Sequence, residues 1–371
     1  MDYATGNEVQ NNNWELTMRI AILSVGDYRH ITLISKYTQY FNDNSIDYEI
    51  ICSDRYGNAP KRNHVFQYRF HDVGRIDKLK SFQQFHNWAK KLINKNQYDF
   101  IIVWNENTAF LFADLLLSKY KGKYIVNIRD VDFLNQHLLN LIRSIVIRKS
   151  AFSTYCSTAE LDFPKNYKYV LMRSINYSIL KDVDSRTSLV AKNKPIRIVY
   201  IGKVRFFDAI DEIIKAFGND NRYELFFIGA GSESLDSYLD NYHNLHLFGS
   251  YEPEETATLL SYADVINSYF GTSVLGYERM SSIRFAYAPY LHIPVIVGAN
   301  TNMEMEGNKY GFAYGFGEVQ MNEEADAFYN WYHSIDQKKF HDGCNQFCLD
   351  VAESDEIFYK KLSSYILSDK T

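Results

Sequence analysis

The 371-residue chain is poor in proline (6), glycine (18) and cysteine (4). So little Pro and Gly excludes a collagen-like or long low-complexity segment. Cys52, Cys156, Cys344 and Cys348 are too few and too scattered for a disulfide framework. Cys344-x3-Cys348 lacks a second ligand pair, so no metal site is expected. No apolar run approaches the roughly 18 residues of a membrane-spanning helix. The polar start, 1–17, has no basic segment leading into an apolar one, so it is not a secretory signal and reads as a disordered leader before a fold beginning at Met18. The expected location is cytoplasmic. The chain has no Walker lysine loop, no Gly-x-Ser-x-Gly elbow and no His-Glu-x-x-His helix, which argues against a P-loop kinase, an elbow-type serine hydrolase and a zincin.

Charge is divided unevenly. Residues 1–180 hold 23 Lys and Arg against 17 Asp and Glu; residues 181–371 hold 17 against 28, and the whole chain carries −5. A nucleic-acid binder would show a dominant basic stripe, so none is expected as partner. The basic half is free to lie against an anionic surface. Tyr (30) and Phe (25) are abundant, so cores and clefts should be aromatic-rich.

Short, wholly apolar strands alternate with helical patterns, the mark of a parallel sheet covered on both faces. Strands are expected at 18–24, 48–53, 100–104, 124–128, 152–157 and 169–172, with helices at 31–41, 78–95, 108–120 and 133–149 and an irregular basic stretch at 61–75. After a polar stretch at 178–195, strands are expected at 196–202, 224–228, 245–248, 265–268 and 294–297. The helices there fall at 209–217, 235–242, 254–262 and 282–291. The reading is α/β: two Rossmann-like, doubly wound parallel-sheet domains facing a cleft, at 18–180 and 196–350, with a linker at 181–195. Residues 351–371, helical from 355 to 367, are expected to pack back toward the first domain.

In such sheets ligands lie beyond the strands' carboxyl ends. In the second half those ends carry Gly202-Lys203-Val204-Arg205, Gly229-Ala230-Gly231-Ser232, Gly249-Ser250-Tyr251, Tyr269-Phe270-Gly271 and Gly298-Ala299-Asn300-Thr301. Glycine lets a ligand approach the backbone, and Lys203 and Arg205 suit a diphosphate. Gly229 to Ser234 lacks the third glycine of a dinucleotide fingerprint, so a nicotinamide cofactor is not indicated. Any one of these turns also reads as an ordinary strand-to-helix connection. In the first half Gly26-Asp27, Asn105-Glu106 and Arg129-Asp130 end strands on the cleft side, and Arg129-Asp130 reads equally as an ion pair at a helix start. The segment 133–152 (FLNQHLLNLIRSIVIRKSAF) is apolar over most of its circumference and ends in Arg143, Arg148 and Lys149. It suits a core-packing helix or a peripheral membrane contact.

Segments 199–217 (VYIGKVRFFDAIDEIIKAF), 224–231 (ELFFIGAG), 245–249 (LHLFG), 256–268 (TATLLSYADVINS) and 281–297 (SSIRFAYAPYLHIPVIV) resemble, in order and spacing, the C-terminal domain of family 4-like bacterial glycosyltransferases of polysaccharide assembly. The likeness extends over about 330 residues and implies the GT-B fold. It implies a nucleotide-sugar donor held by the second domain and a glycan or lipid-linked acceptor held by the first. The nucleotide sugar is then a substrate; no cofactor and no metal are needed, and the reaction is retaining. The implied donor-binding set is Gly202, Lys203, Arg205, Gly229, Gly231, Ser250, Tyr251, Ser281, Ser282 and Arg284, with Glu278 near the first carboxylate of the family's Glu-x7-Glu pattern. Gly26, Asp27, Asn105 and Arg129 border the acceptor, and Asp130 or Glu106 would be the base of an inverting reaction. Three positions depart from the family: Asp208 stands at the place of a phosphate-binding lysine, Tyr287 at that of the second carboxylate, and Asn105-Glu106-Asn107 at that of a histidine. Asp208 and Tyr287 suit the alternative of a non-catalytic scaffold or regulatory partner. A sugar-nucleotide epimerase is the other alternative, since it too has two facing Rossmann-like domains.

Overall fold

The computed structural model describes residues 18–28, 31, 33–54, 57, 61–69, 75–129, 137–158, 168–180, 184–271, 279 and 281–367. The expected leader, and Asp130 and Glu278 among the site residues, lie outside the described residues. The first sheet contains β1 (Arg19–Asp27), β2 (Asp47–Asp54), β3 (Val65–Arg69), β4 (Phe100–Trp104), β5 (Tyr124–Ile128), β6 (Phe152–Tyr155) and β7 (Tyr169–Leu171), in spatial order β3-β2-β1-β4-β5-β6-β7. The second contains β8 (Ile196–Ile201), β9 (Tyr223–Ile228), β10 (Leu245–Phe248), β11 (Val265–Asn267), β12 (Val295–Gly298) and β13 (Ala313–Phe316), in order β10-β9-β8-β11-β12-β13. Every pairing is parallel, as in Ile20↔Phe100 between β1 and β4 and Ile198↔Leu225 between β8 and β9.

The strands are apolar throughout because both faces of each sheet are covered. Ile20 and Ile22 enter one core of the first domain, with Phe41 and Phe152; Ala21 and Leu23 enter the other, with Phe85 and Phe112. In the second domain Val199 and Ile201 face a core built with the helix Ile283–Tyr290, whereas Ile198 and Tyr200 face the helices Phe207–Phe217 and Glu324–Ser334. The chain order reverses between β1 and β4 and again between β8 and β11. At such switch points the connections leave in opposite directions and open a crevice above the strand ends.

Several expected elements take a different form. The basic stretch 61–75 contains β3, an edge strand whose polar neighbours hide its periodicity. The expected helix 108–120 is two short helices, Glu106–Leu111 and Ala113–Ser118, broken at Phe112, whose side chain is buried and packs on Phe85. The expected helix 235–242 is a 3-10 helix, Ser232–Tyr238. β13 and the helices Asn302–Tyr310 and Glu324–Ser334 were not anticipated. Of the apolar segment 133–152, the structure describes the helix His137–Arg148.

The last helix is longer than expected, running unbroken over 30 residues, Gln337–Ile366. Phe340, Cys344, Phe347 and Val351 lie in the second domain's core; Phe358, Leu362 and Ile366 lie in the first domain's. Tyr37 meets Phe358 edge-on (5.4 Å), and Tyr40 stacks on Tyr359 (5.3 Å). Between the two apolar stretches, Lys36 Nζ contacts both oxygens of Asp355 (2.5 and 2.7 Å), and Tyr177 donates its hydroxyl to the same carboxylate (2.8 Å). Both members of the pair are buried, their side chains 2% and 7% exposed. Burial pulls the Lys36 pKa down while Asp355 pulls it up.

Removing one charge of a buried pair strands the other, at about 3–5 kcal/mol, whereas an apolar replacement of both is often neutral. Lys36→Met alone should therefore destabilise by about that amount in urea unfolding, and Lys36→Met with Asp355→Leu should recover most of the loss. Additive losses in the double variant would show that the pair is not coupled.

Candidate active site at the interdomain cleft

The C-terminal rim of the second sheet is built around the switch point between β8 and β11. β8 ends at Ile201, and the turn beyond it runs beside the turn beyond β9: Gly202 N–H donates to Ile228 O (2.9 Å), and Val204 N–H to Ala230 O (2.9 Å). Gly202 (φ +118°), Gly229 (φ +142°) and Gly231 (φ +94°) occupy backbone conformations that favour glycine. A Cβ on Gly229 would stand 2.0 Å from the Gly202 carbonyl oxygen, so two backbones touch here without room for a side chain.

These glycines do not leave bare amides for an anion. Gly229 N–H donates to Phe248 O (3.0 Å), and Gly231 N–H donates to the Glu233 carboxylate (3.0 Å), which sits where an anionic ligand would. The next rim turn is closed in the same way: Asn300 N–H donates to Glu304 (2.6 Å), and Thr301 caps the helix Asn302–Tyr310. The free cationic capacity of the rim lies in side chains. Lys203 and Arg205 are exposed, and neither pairs with a carboxylate among the described residues. Tyr200 fixes the turn by donating its hydroxyl to Lys203 O (2.9 Å), and the Arg205 guanidinium lies over the Phe206 ring (4.9 Å). Phe206 (φ +65°) precedes the helix Phe207–Phe217, and Asp208 is exposed in its first turn.

Across the switch point, Arg284 is 6% exposed, 3.9 Å from the Tyr200 ring centroid and 5.3 Å from that of Phe270, and donates to Ile201 O (3.3 Å). It props the end of β8. Ser282 caps its helix, accepting from Phe285 N–H (2.9 Å) and bonding to Ser268 Oγ (2.5 Å). Ser281 is half-exposed beside it. Gly249 and Ser250 are exposed, whereas Tyr251 is half-buried; burial raises its hydroxyl pKa, and the Arg284 charge draws it partly back. Tyr287 is buried in the core and takes no place on the rim.

On the first domain's rim, Gly26 N–H donates to Ser24 Oγ (3.0 Å), and Asp27 is fully buried at the end of β1. Asn105, at φ +68°, caps its helix by accepting from the Thr108 N–H (2.9 Å) and hydroxyl (3.0 Å), so its carbonyl is already engaged. Glu106 is 7% exposed. Arg129 closes β5; its Nη2 donates to Ser174 Oγ (2.8 Å).

The two rims meet through residues that the sequence did not single out. Ser157, just past β6, donates to Arg279 O (2.8 Å) and accepts from Asn302 Nδ2 (3.1 Å). Thr158 donates to Glu306 (3.2 Å), and Arg173 pairs with the same carboxylate. These partners lie 122–148 residues apart in the sequence, so no local pattern joins them. Gly202, Lys203, Arg205, Gly229, Gly231, Tyr251 and Arg284 thus gather around one switch point, and Gly26, Asp27, Asn105 and Glu106 around the other. Among the described residues no group of three or more His, Cys, Asp or Glu side chains is placed to hold a metal ion.

No known family's profile matches the chain, and no curated protein matches it. Solved structures do. A sucrose-phosphate synthase from Thermosynechococcus elongatus is similar at TM-score 0.70 and 13% identity, covering 94% of this chain and 99% of its own. Anabaena HepE, in complex with UDP and glucose, is similar at TM-score 0.63 and 12% identity, covering 94% and 100%. The UDP-GlcNAc 2-epimerase from Neisseria meningitidis, bound to UDP-GlcNAc, is similar at TM-score 0.59 and 12% identity, covering 93% and 99%. At these identities the likeness is one of fold: two Rossmann-like domains in the GT-B arrangement.

The rim geometry separates two glycines of similar backbone angle. Gly202→Ala meets no atom within 4 Å and carries only φ strain, about 1 kcal/mol. Gly229→Ala also drives Cβ into the Gly202 carbonyl, so urea unfolding should show a loss of about 2 kcal/mol or more. Equal losses would contradict the close approach of the two turns.

Proposed function

We propose that the chain is a glycosyltransferase that moves a sugar from a nucleotide-sugar donor held by the second domain to an acceptor held by the first. The observation that carries this reading is the pair of exposed cations, Lys203 and Arg205, beside the switch point of the second sheet, neither paired with a carboxylate among the described residues. Open α/β sheets bind ligands at that place, and fixed positive charge there opposes the charge that develops on a departing diphosphate. Similar folds with UDP and glucose, or with UDP-GlcNAc, are consistent with a uridine nucleotide as the first donor to test.

In the proposed reaction the bond between the anomeric carbon and the diphosphate oxygen breaks, and the electron pair leaves with the diphosphate. The acceptor hydroxyl forms the new bond. In a retaining reaction its proton passes to the departing diphosphate, and no protein base is required; in an inverting one Glu106 or Asp130 takes it. Lys203 and Arg205 stabilise the leaving group in place of a metal. Arg284 and Ser282, committed to holding β8 and a helix start, act by positioning the rim, and the glycines by letting its turns close. Asp208 and Glu233 add negative charge nearby, which tunes donor affinity downward.

Lys203→Ala should weaken UDP binding about tenfold in calorimetry without shifting the thermal midpoint, because the side chain is exposed. Transfer from a UDP-sugar should persist in the presence of a chelator. Unchanged UDP affinity in the variant removes the role of Lys203, and complete loss of transfer with chelator removes metal independence. Product formed from the nucleotide sugar alone, with the sugar still attached and inverted at one carbon, would favour an epimerase. No nucleotide binding at all would favour a scaffold.

The setting we propose is bacterial surface-polysaccharide assembly, on the cytoplasmic side, with a membrane contact. Among the described residues no helix is long and apolar enough to cross a membrane. The helix His137–Arg148, however, exposes Leu141 (57%) and Ile145 (36%) one turn apart and ends in exposed Arg148 and Lys149. Gly122 N–H donates to Lys149 O (2.9 Å), which brings exposed Lys121 and Lys123 alongside. Between Leu115 and Arg129 there is no acidic residue. Exposed apolar side chains ringed by cations suit an anionic bilayer surface. The protein should co-sediment with vesicles containing about a third phosphatidylserine and not with neutral ones, and Leu141→Ser with Ile145→Ser should reduce the bound fraction several-fold. Equal sedimentation with both vesicle types would overturn the contact.

A further inference from the structure

At the rim of the first sheet three cations, Lys36, Arg129 and Arg173, stand near one another. Lys36 pairs with Asp355, and Arg173 pairs with Glu306 across the domains. Among the described residues Arg129 has no carboxylate partner: its Nη2 bonds to Ser174, its guanidinium lies 5.9 Å from the Trp104 ring centroid, and its buried Nη1 has no acceptor. Arg173 is 6% exposed and lies over the Phe347 ring (5.3 Å), and its Nε also lacks an acceptor. Burial lowers the Lys36 pKa most, and the Arg129 and Arg173 charges lower it further. Ser174, adjacent to Arg173 in the chain, ties Arg129 to the same turn.

Buried N–H groups without acceptors are destabilising and uncommon, and cationic ones more so. An oxyanion supplies acceptors for such donors together with the opposite charge. Arginine suits it better than lysine would, because the planar fork presents donors in fixed directions.

We infer that Arg129 Nη1 and Arg173 Nε hold an oxyanion, a phosphodiester or a sugar carboxylate, carried by the acceptor. That the anion belongs to an acceptor rests on the glycosyltransferase reading; the anion site itself rests on the arginines. Arg129 is therefore an acceptor-selecting residue, and an uncharged glycan is a poor ligand for this rim.

The test is calorimetry on the full chain with dimethyl phosphate, glucuronate and glucose, in the unaltered protein, in Arg129→Gln and in Lys203→Ala. Expected is saturable binding of one or both oxyanions and none of glucose, at least tenfold weaker in Arg129→Gln and within twofold of the unaltered value in Lys203→Ala. Binding of dimethyl phosphate alone identifies a phosphodiester, and of glucuronate alone a uronic acid. No saturable binding of either, or equal binding in Arg129→Gln, overturns the inference. Should Arg129→Gln fail to fold, phenylglyoxal labelling of the unaltered protein decides, read by mass spectrometry. The oxyanion must protect Arg129 and Arg173, and labelling that it does not slow overturns the site. UDP titrated in parallel keeps the two readings apart: absent UDP binding removes the donor reading and leaves the anion site standing.

Discussion

The placement of both rims depends on the burial of one helix in two hydrophobic cores. Gln337–Ile366 contributes Phe347 and Val351 to the second domain and Phe358 and Leu362 to the first. A helix of this length is nearly rigid, so packing each end fixes the angle between the sheets. Lys36, Asp355 and Tyr177 occupy the passage between the two apolar stretches, and their mutual hydrogen bonds allow polar groups to be buried there. Arg173, Glu306, Thr158, Asn302 and Ser157 then bring the rims into contact on one side.

The two rims present different chemistry from a shared topology. The second domain closes its turns with glycine backbones and internal hydrogen bonds, which leaves its cationic capacity on the exposed Lys203 and Arg205. The first domain holds its charge on guanidinium groups fixed by Ser174 and by the Trp104 and Phe347 rings. A departing group that acquires charge during reaction suits the former, and a ligand charged throughout suits the latter. The selectivity implied for each side differs accordingly: exposed long side chains tolerate variation in the ligand, and buried guanidinium groups with fixed donors do not.

Most of the architecture was legible in the sequence because parallel strands buried on both faces leave unbroken apolar runs, such as Phe100–Trp104 and Tyr124–Ile128. β3 was hidden because an edge strand with half-buried residues carries no such run. The 3-10 helix Ser232–Tyr238 was mistaken for an α-helix because Leu235 alone of its apolar residues is deeply buried, and so short a stretch does not distinguish the two periods. Glycines at the strand ends marked the second rim, but the sequence could not reveal that their amides were already engaged by neighbouring turns. Arg173, Glu306 and Tyr200 escaped notice because their significance arises from contacts between elements distant in the chain. Arg284 was legible as a rim residue; its burial against Tyr200 and Phe270 was not.

Because Phe358, Leu362 and Ile366 complete the core of the first domain, that domain is assembled from segments on both sides of the second. During synthesis its sheet emerges long before the residues that seal it. The N-terminal half must therefore wait with an unfilled hydrophobic face until those residues are made, and the intervening domain has the time to fold first.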